Sequence, residues 1–276
     1  NQGLTQHGES IALGMSCYAH KIYYMLGLWD NLSVADQQTW NKTICDFQVS
    51  GKPIQTSPSH NAFIDSTVID YLHKHTQAPP KYTIKQEAKR IIKRILRRTV
   101  PQHQTYVEAV LRAETKQAIA TLAEVGVSPA RAYQGYPDTE YRLNNYLHGL
   151  NWKQPWSAGA HAATVSVFLT TIGEETQDLR NIVSRFIQNT LDKETGAYYR
   201  GGSVPEHGTL VNGAMKVLTA LDWLEEPVHL PEQLIDTTLS KLPAAEGCHV
   251  VDAVYVLYRC SLQTDHRKAD IQQFCQ

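Results

Sequence analysis

The sequence lacks the features that mark several common protein classes. Its five cysteines are an odd number with no CxxC pair, which argues against a disulfide framework or a zinc ribbon. No run of about 18 apolar residues predicts a transmembrane helix, and no basic region followed by an apolar stretch marks a secretory signal. The formal charge of −1 argues against nucleic-acid binding by bulk charge. We therefore expect a cytoplasmic protein whose thiols are mostly buried in a reducing compartment.

Helical periodicity dominates what is present, and no segment reads convincingly as a strand. In the first predicted helix, apolar residues three or four positions apart form one stripe: Ile11, Met15, Tyr18, Ile22 and Met25. Gly27 is placed to end that helix, and Ser33 is placed to cap the next one, with Asp36 three positions on.

Two kinds of helix alternate along the chain. One kind has a single apolar stripe and a charged back, and the other, such as 157–173, is apolar on nearly every side. A helix that is apolar all round is buried on all faces. The alternation predicts an all-α fold, an α/α toroid of about six helical hairpins with inner and outer rings, in one domain spanning 1–276. An open α-solenoid or an irregular bundle is the alternative.

One segment carries a family resemblance. In "NTLDKETGAYYRGGSVPEHGTLVNGAMKVLTALDWL", an outer helix is followed by Asp192, Gly196 and Tyr198, and then by an inner helix from Thr209. This pattern resembles the repeat of the terpenoid cyclase and protein prenyltransferase superfamily. The resemblance implies an α/α toroid with a central pocket. The DxDD, DDxxD and D-x-C motifs that carry chemistry in that superfamily do not occur, so the resemblance implies the scaffold alone.

Four histidines recur just before, or in the first turns of, predicted inner helices: His60, His161, His207 and His249. Inner helices of a toroid run in one direction, so their N-termini would meet at one mouth of the cavity. The helix dipoles there favour an anionic ligand and a neutral imidazole, which suits a general base. The plainer alternative is that each histidine caps its own helix.

Asp65 and Asp252 fall in the first turn of two of these helices, where each is a candidate general acid or orients a histidine. A favourable interaction with the helix dipole is the alternative. Asp252 follows His249 by three residues, so both can share a helix face. We predict no cofactor; zinc held by Cys248, His249, Asp252 and His207 is the less favoured alternative.

The remaining candidates are substrate-binding residues. Trp152 and Trp156 suit stacking on a sugar or stabilisation of a carbocation, and otherwise fill a gap between hairpins. Arg112 is a candidate anion clamp, or else part of an internal salt bridge. Asn212 and Tyr255, on two predicted inner helices, complete the set.

These patterns predict an enzyme that performs His and Asp acid–base chemistry in a central cavity, on a prenyl-type or carbohydrate substrate. The class of enzyme stays open between a cyclase or transferase and a carbohydrate-active lyase, hydrolase or epimerase. A non-catalytic toroid that binds a ligand or a protein is the alternative. The basic segment 81–98 is expected to be a solvated outer helix, or to dock an acidic partner or an anionic membrane surface.

Overall fold

The computed structural model describes residues 11–77, 103–244 and 247–276. The chain divides into two compact units, 1–136 and 137–276. The described residues are helical and contain no strand, only isolated bridges such as that between Leu191 and Tyr198. The all-α prediction is therefore confirmed for this part of the chain. The basic segment 81–98 lies outside the described residues.

The first unit contains α1 (Ala12–Met25), α2 (Val34–Cys45), α3 (Ser66–Gln77) and α4 (His103–Ala123) among its described residues. Helix α1 packs against α2 and α4. The predicted cap of α2 is confirmed, because the Ser33 hydroxyl accepts a hydrogen bond of 3.1 Å from the Asp36 amide. Gly27, with φ +65°, follows the end of α1 as expected.

The second unit runs from α5 to α11. Its helices are α5 (Glu140–Gly149), α6 (Pro155–Ile172), α7 (Gln177–Gln188), α8 (His207–Trp223), α9 (Pro231–Leu239), α10 (His249–Ser261) and α11 (Lys268–Phe274). Residues 162–169 of α6 are all buried, which confirms the prediction of a helix enclosed on every side. Helix α7 buries one stripe, through Ile182, Val183, Phe186 and Ile187.

Alternate helices of this unit form two layers. Helix α8 packs against α6 and α10, while α7 packs on α6 and α5, and α9 packs on α10 and α8. The apolar helices α6, α8 and α10 thus share an inner row, and the two-faced helices lie outside it.

Contacts along the inner row show that its helices run parallel. The start of α6 meets α8 where Pro155 faces Gly213, and the end of α6 meets the end of α8 where the Thr170 hydroxyl donates to the Trp223 carbonyl. The start of α10 lies beside the start of α8, with the His249 ring against Gly208. The first turns of α6, α8 and α10 therefore lie toward the same end of the unit.

Most residues of the predicted apolar stripe of α1 lie on the exposed side of the helix rather than in the core. Ile11, Tyr18, Ile22 and Met25 are exposed, and Met25 keeps 74% of its surface. The residues that α1 buries are Leu13, Cys17 and His20. Two contacts of the first unit fix this rotation: the Leu13 amide donates to Asp65, and Lys21 pairs with Glu124 just beyond α4.

Helix α10 also differs from a helix buried on all sides. Its side facing α8 and α9 is buried through Ala253, Val256, Leu257 and Cys260. The opposite face stays exposed and carries Val250, Val251, Val254 and Tyr258, with Leu262 just beyond the helix. These five apolar side chains lie on one exposed face, so they form a patch rather than isolated apolar residues on the surface.

The thiols divide by position. All five cysteines are free; Cys17 and Cys260 are buried, Cys45 is half-buried, and Cys248 and Cys275 are exposed. Burial raises the pKa of Cys17 to about 11 and that of Cys260 to about 12, so both remain protonated thiols. Most of the thiols were expected to be buried, but only Cys17 and Cys260 are.

His20 is expected to make the stability of the first unit sensitive to acid. Its ring is fully buried, stacks on Trp29 at 4.0 Å between centroids, and lies 2.9 Å from the Asn41 side-chain oxygen. Burial lowers its pKa below that of the unfolded chain, so only the unfolded chain gains a proton just below about pH 6.5. Stability is fully present above that pH and falls as the pH drops, by at most about 1.4 kcal/mol per pH unit from this group.

We expect the His20→Gln variant to lose less stability than the wild type between pH 7 and pH 5. Hydrogen exchange of α1 and α2, measured by mass spectrometry, reports the free energy of opening of this unit separately from the other. An unchanged pH slope in the variant would show that other groups cause the acid sensitivity.

Candidate polar site at the start of α10

A polar cluster lies where the first turns of α8 and α10 meet. Cys248, His249 and Asp252 come from the start of α10, and Asn212 and Lys216 lie one turn apart on α8. Gly208, one turn before Asn212, leaves room for the His249 ring: a Cβ added at Gly208 would lie 3.4 Å from two of its atoms. The fold thus brings together three of the predicted site residues, His249, Asp252 and Asn212.

His249 is held by Asn212. The Asn212 side-chain nitrogen lies 2.9 Å from Nδ1 of His249, which fixes the ring and leaves Nε2 outside this bond. The other atom of the amide, Oδ1, is buried and has no hydrogen-bond partner within the described residues. A buried carbonyl oxygen without a donor costs roughly 1–3 kcal/mol, so this atom is a ready acceptor.

Asp252 is a buried carboxyl group, with only 1% of its surface exposed. The Cys248 thiol donates a hydrogen bond of 3.3 Å to its Oδ2. Burial raises the pKa of Asp252, against the opposing effects of the Cys248 hydrogen bond and of the positive charges on Lys216 and His249. The carboxyl therefore holds its proton nearer to neutral pH than an exposed aspartate does, as a general acid requires.

Cys248 is a donor to this carboxyl rather than a nucleophile. The hydrogen bond to Asp252 raises the pKa of the thiol, burial adds to the effect, and the Lys216 charge opposes it. A thiol with a raised pKa carries little thiolate, which is the reactive form.

Trp156 marks the edge of the cluster, on the first turn of α6. The residue is 49% exposed, and the Lys216 ammonium lies 5.6 Å from the ring centroid. Trp152, in contrast, is buried, donates its indole N–H to the Leu147 carbonyl and packs near Phe186. Of the two tryptophans predicted to bind substrate, only Trp156 is exposed.

Three predicted residues of this unit have partners away from the cluster. His161 lies 3.1 Å from the Tyr146 hydroxyl on α5, and His207 lies 2.9 Å from the Thr237 carbonyl on α9. The Tyr255 hydroxyl meets Arg259 at 3.3 Å, one turn along α10. Two of the four recurring histidines thus face outer helices.

The remaining predicted residues, His60, Asp65 and Arg112, lie in the first unit. The His60 backbone pairs with that of Gln134, and the Asp65 carboxylate accepts from the Leu13 amide at 2.9 Å. Burial raises the pKa of Asp65. Arg112 donates to the Gly135 carbonyl at 3.1 Å. These contacts tie segments of that unit together.

A buried carboxylate that the sequence does not single out lies beside Arg112. Glu108 accepts hydrogen bonds of 2.5 Å from Ser57 and 2.7 Å from Ser59, and its carboxylate lies 3.9 Å from the Arg112 guanidinium. The network fastens the loop before α3 to α4. Lys216 is the other residue missed, although it is the sole charged residue between Gly208 and Leu221.

The described residues form no metal centre at the cluster, and the residues of the cluster line neither of two grooves found on the surface. Among the described residues, no three His, Cys, Asp or Glu side chains are placed to hold a metal ion. Two surface grooves lie elsewhere: one of about 550 Å³ is lined by Glu140 and residues of α7, and one of about 590 Å³ lies between the end of α9 and α11. The cluster opens at the surface, where Cys248 and Trp156 are exposed.

No helix in the described ranges has the length and apolarity needed to cross a bilayer. Comparison of the chain with known proteins found no matching family model, no similar curated protein and no similar solved structure.

Proposed function

We propose that the chain is an enzyme that uses Asp252 as a general acid and His249 as its partner in proton transfer, on a small-molecule substrate. The observation that carries this proposal is the buried Asp252 carboxyl, whose pKa is raised by burial, within a cluster that also contains an oriented imidazole. A buried carboxyl group with a raised pKa beside an oriented imidazole is typical of an acid–base site.

The scaffold we propose is an α/α toroid similar to that of terpenoid cyclases and protein prenyltransferases, in a single domain. The parallel inner row of α6, α8 and α10 supports it, because a toroid requires inner helices that run in one direction. The turn at Asp192, Gly196 and Tyr198 gives further support. Free thiols at all five cysteines are consistent with a reducing, cytoplasmic setting.

The substrate is a prenyl-type compound or a carbohydrate. We expect the purified chain to convert a member of one of these classes when incubated with prenyl alcohols, prenyl diphosphates and neutral and acidic oligosaccharides. Mass spectrometry of the products identifies the class. A complete lack of conversion across the panel would count against catalysis.

Such a result would favour a non-catalytic binding protein, and the exposed apolar face of α10 supports that second function. Val251, Val254 and Tyr258 repeat at helical spacing on this face, which is the pattern of a helix that contacts a partner.

A further inference from the structure

Asn212 meets the His249 ring through a hydrogen-bond donor. Its Nδ2 lies 2.9 Å from Nδ1 of the ring, and an amide nitrogen can only donate. Nδ1 therefore presents its lone pair to Asn212, so the proton of the neutral ring lies on Nε2. In this state Nε2 donates hydrogen bonds and has no lone pair with which to take up a proton.

Backbone packing holds the two side chains at this distance. A Cβ added at Gly208, one turn before Asn212, would lie 3.4 Å from Nδ1 and Cε1 of the His249 ring, so this edge of the ring lies against α8. A Cβ added at Gly213 would lie 2.6 Å from Cβ of Pro155, so α8 in turn packs tightly against the start of α6. The amide and the ring can therefore change their hydrogen bond by rotation more easily than by moving apart.

The far side of the Asn212 amide is not held by a hydrogen bond from the described residues. The residue is only 9% exposed, and its buried Oδ1 has no partner among them. The oxygen and nitrogen of an amide are nearly equal in size, so a half turn exchanges them without displacing neighbours. After the turn, Oδ1 would accept from Nδ1–H, and the nitrogen would take the position without a partner. Each orientation leaves one amide atom unbonded, so the protonation state of the ring decides between them.

We propose that Asn212 is a positioning residue that sets which nitrogen of His249 carries the proton, and that its amide makes a half turn when the proton moves. With Nδ2 toward the ring, His249 is a donor through Nε2–H. With Oδ1 toward the ring, Nδ1–H is held and Nε2 has the lone pair of a base. A proton taken up at Nε2 then gives the imidazolium without a further turn. The inference rests on the proposed function, in which His249 takes part in proton transfer with Asp252.

The charges around the ring couple this turn to Asp252. Three ionisable groups of α8 and α10 surround the amide and the ring: Lys216, Cys248 and Asp252. His207 on α8 is turned toward α9, and Glu232 and Asp236 of α9 bond to residues 264–267. The Lys216 charge disfavours an imidazolium ring, whereas an ionised Asp252 carboxylate favours one. The ring thus gains its second proton most readily after Asp252 has given its own proton away.

Neutron diffraction tests the turn directly, because it distinguishes an amide oxygen from a deuterated nitrogen. In crystals of the full chain at about pD 8.5, where an ordinary imidazole is neutral, we expect Nδ2 toward the ring and a deuteron on Nε2 alone. At about pD 5, where an ordinary imidazole is protonated, we expect Oδ1 toward the ring and deuterons on both nitrogens. The same amide orientation in both crystals would overturn the inference.

Variants of Asn212 test the assignment in solution. Nitrogen NMR of labelled histidine reports which ring nitrogen is protonated, and the signals that vanish in His249→Gln belong to this ring. At about pH 8.5 the wild type should show the Nε2–H form alone, and Asn212→Asp, whose carboxylate only accepts, should show the Nδ1–H form. Asn212→Leu offers neither bond and should show both forms. His161, beside the Tyr146 hydroxyl, is the internal control and should keep its form throughout. A wild-type spectrum equal to that of Asn212→Leu would refute the assignment.

Kinetics on the substrate that the chain converts separate this inference from the proposed function. Asn212→Leu should lower kcat by about tenfold or more, whereas Asn212→Asp, which keeps the Nδ1 proton of the base form, should lose less. A ring proton set by Asn212 in a chain without turnover would leave the assignment standing and reject catalysis. Equal kcat in the wild type and Asn212→Leu would reject the positioning role and leave Asp252 as the acid.

Discussion

Gly196→Ala is expected to lower the free energy of unfolding of the 137–276 unit by about 3 kcal/mol or more. Gly196 has φ +67°, in the left-handed region that costs about 1–2 kcal/mol for a residue with a Cβ. The added methyl group would also lie 2.6 Å from the Leu234 amide nitrogen and 2.8 Å from the Leu230 carbonyl oxygen. Both atoms belong to the backbone at the start of α9, so they cannot turn away as a flexible side chain does.

The turn around Gly196 explains why the loss would spread. The Asp192 side chain accepts two hydrogen bonds from Thr195, which fold the chain back so that Tyr198 enters the core. Tyr198 is fully buried, and its hydroxyl lies 3.1 Å from Nδ1 of His229. Moving Gly196 away from α9 would therefore disturb the layer that supports α8 and α10.

Gly201→Ala is the matched control in the same unit. Gly201 has φ +77°, but its added Cβ would meet only the end of the Lys153 side chain, at 3.6 Å. We expect this variant to lose only the conformational cost of about 1–2 kcal/mol. Hydrogen exchange of α8 and α9 peptides measures both variants, and equal losses would show that the contact with α9 adds nothing.

The sequence predicts buried helices better than it predicts which stripe of a two-sided helix is buried. For α6 no choice exists, because every face is apolar or small, and the helix is enclosed as expected. Helix α1 offers two stripes, and the one containing Leu13, Cys17 and His20 is buried although Tyr18, Ile22 and Met25 are larger. The contacts of Leu13 with Asp65 and of Lys21 with Glu124 hold α1 in this rotation, and they join residues 52 and 103 positions apart.

The sequence also predicts only part of the candidate site. His249, Asp252 and Asn212 are brought together because α8 and α10 run parallel with their starts side by side. His161 and His207 share the expected position at the starts of inner helices, yet their rings face α5 and α9. Position along a helix is readable from the chain, whereas the side chain's direction depends on how neighbouring helices pack.

Asp252→Asn is expected to reduce the rate of catalysis by about 10²–10⁴-fold on the substrate that the chain converts, the usual contribution of a positioned general acid. Asparagine keeps the size of the side chain and accepts the Cys248 hydrogen bond through its oxygen. It carries no acidic proton, so the loss should appear in kcat while the fold is retained. Circular dichroism and kcat at several pH values measure the two effects.

Asp178→Asn distinguishes proton transfer from a favourable interaction with the helix dipole. Asp178 and Asp252 both lie in the first turn of an α-helix, so each substitution replaces a carboxyl group near the positive end of its helix. Asp178 is exposed on the outer helix α7, away from the cluster. The dipole stabilisation lost in either variant should be of the order of 1 kcal/mol or less, but only Asp252→Asn should lose activity. If Asp252→Asn keeps the wild-type kcat, its carboxyl serves the helix alone and the acid–base proposal fails.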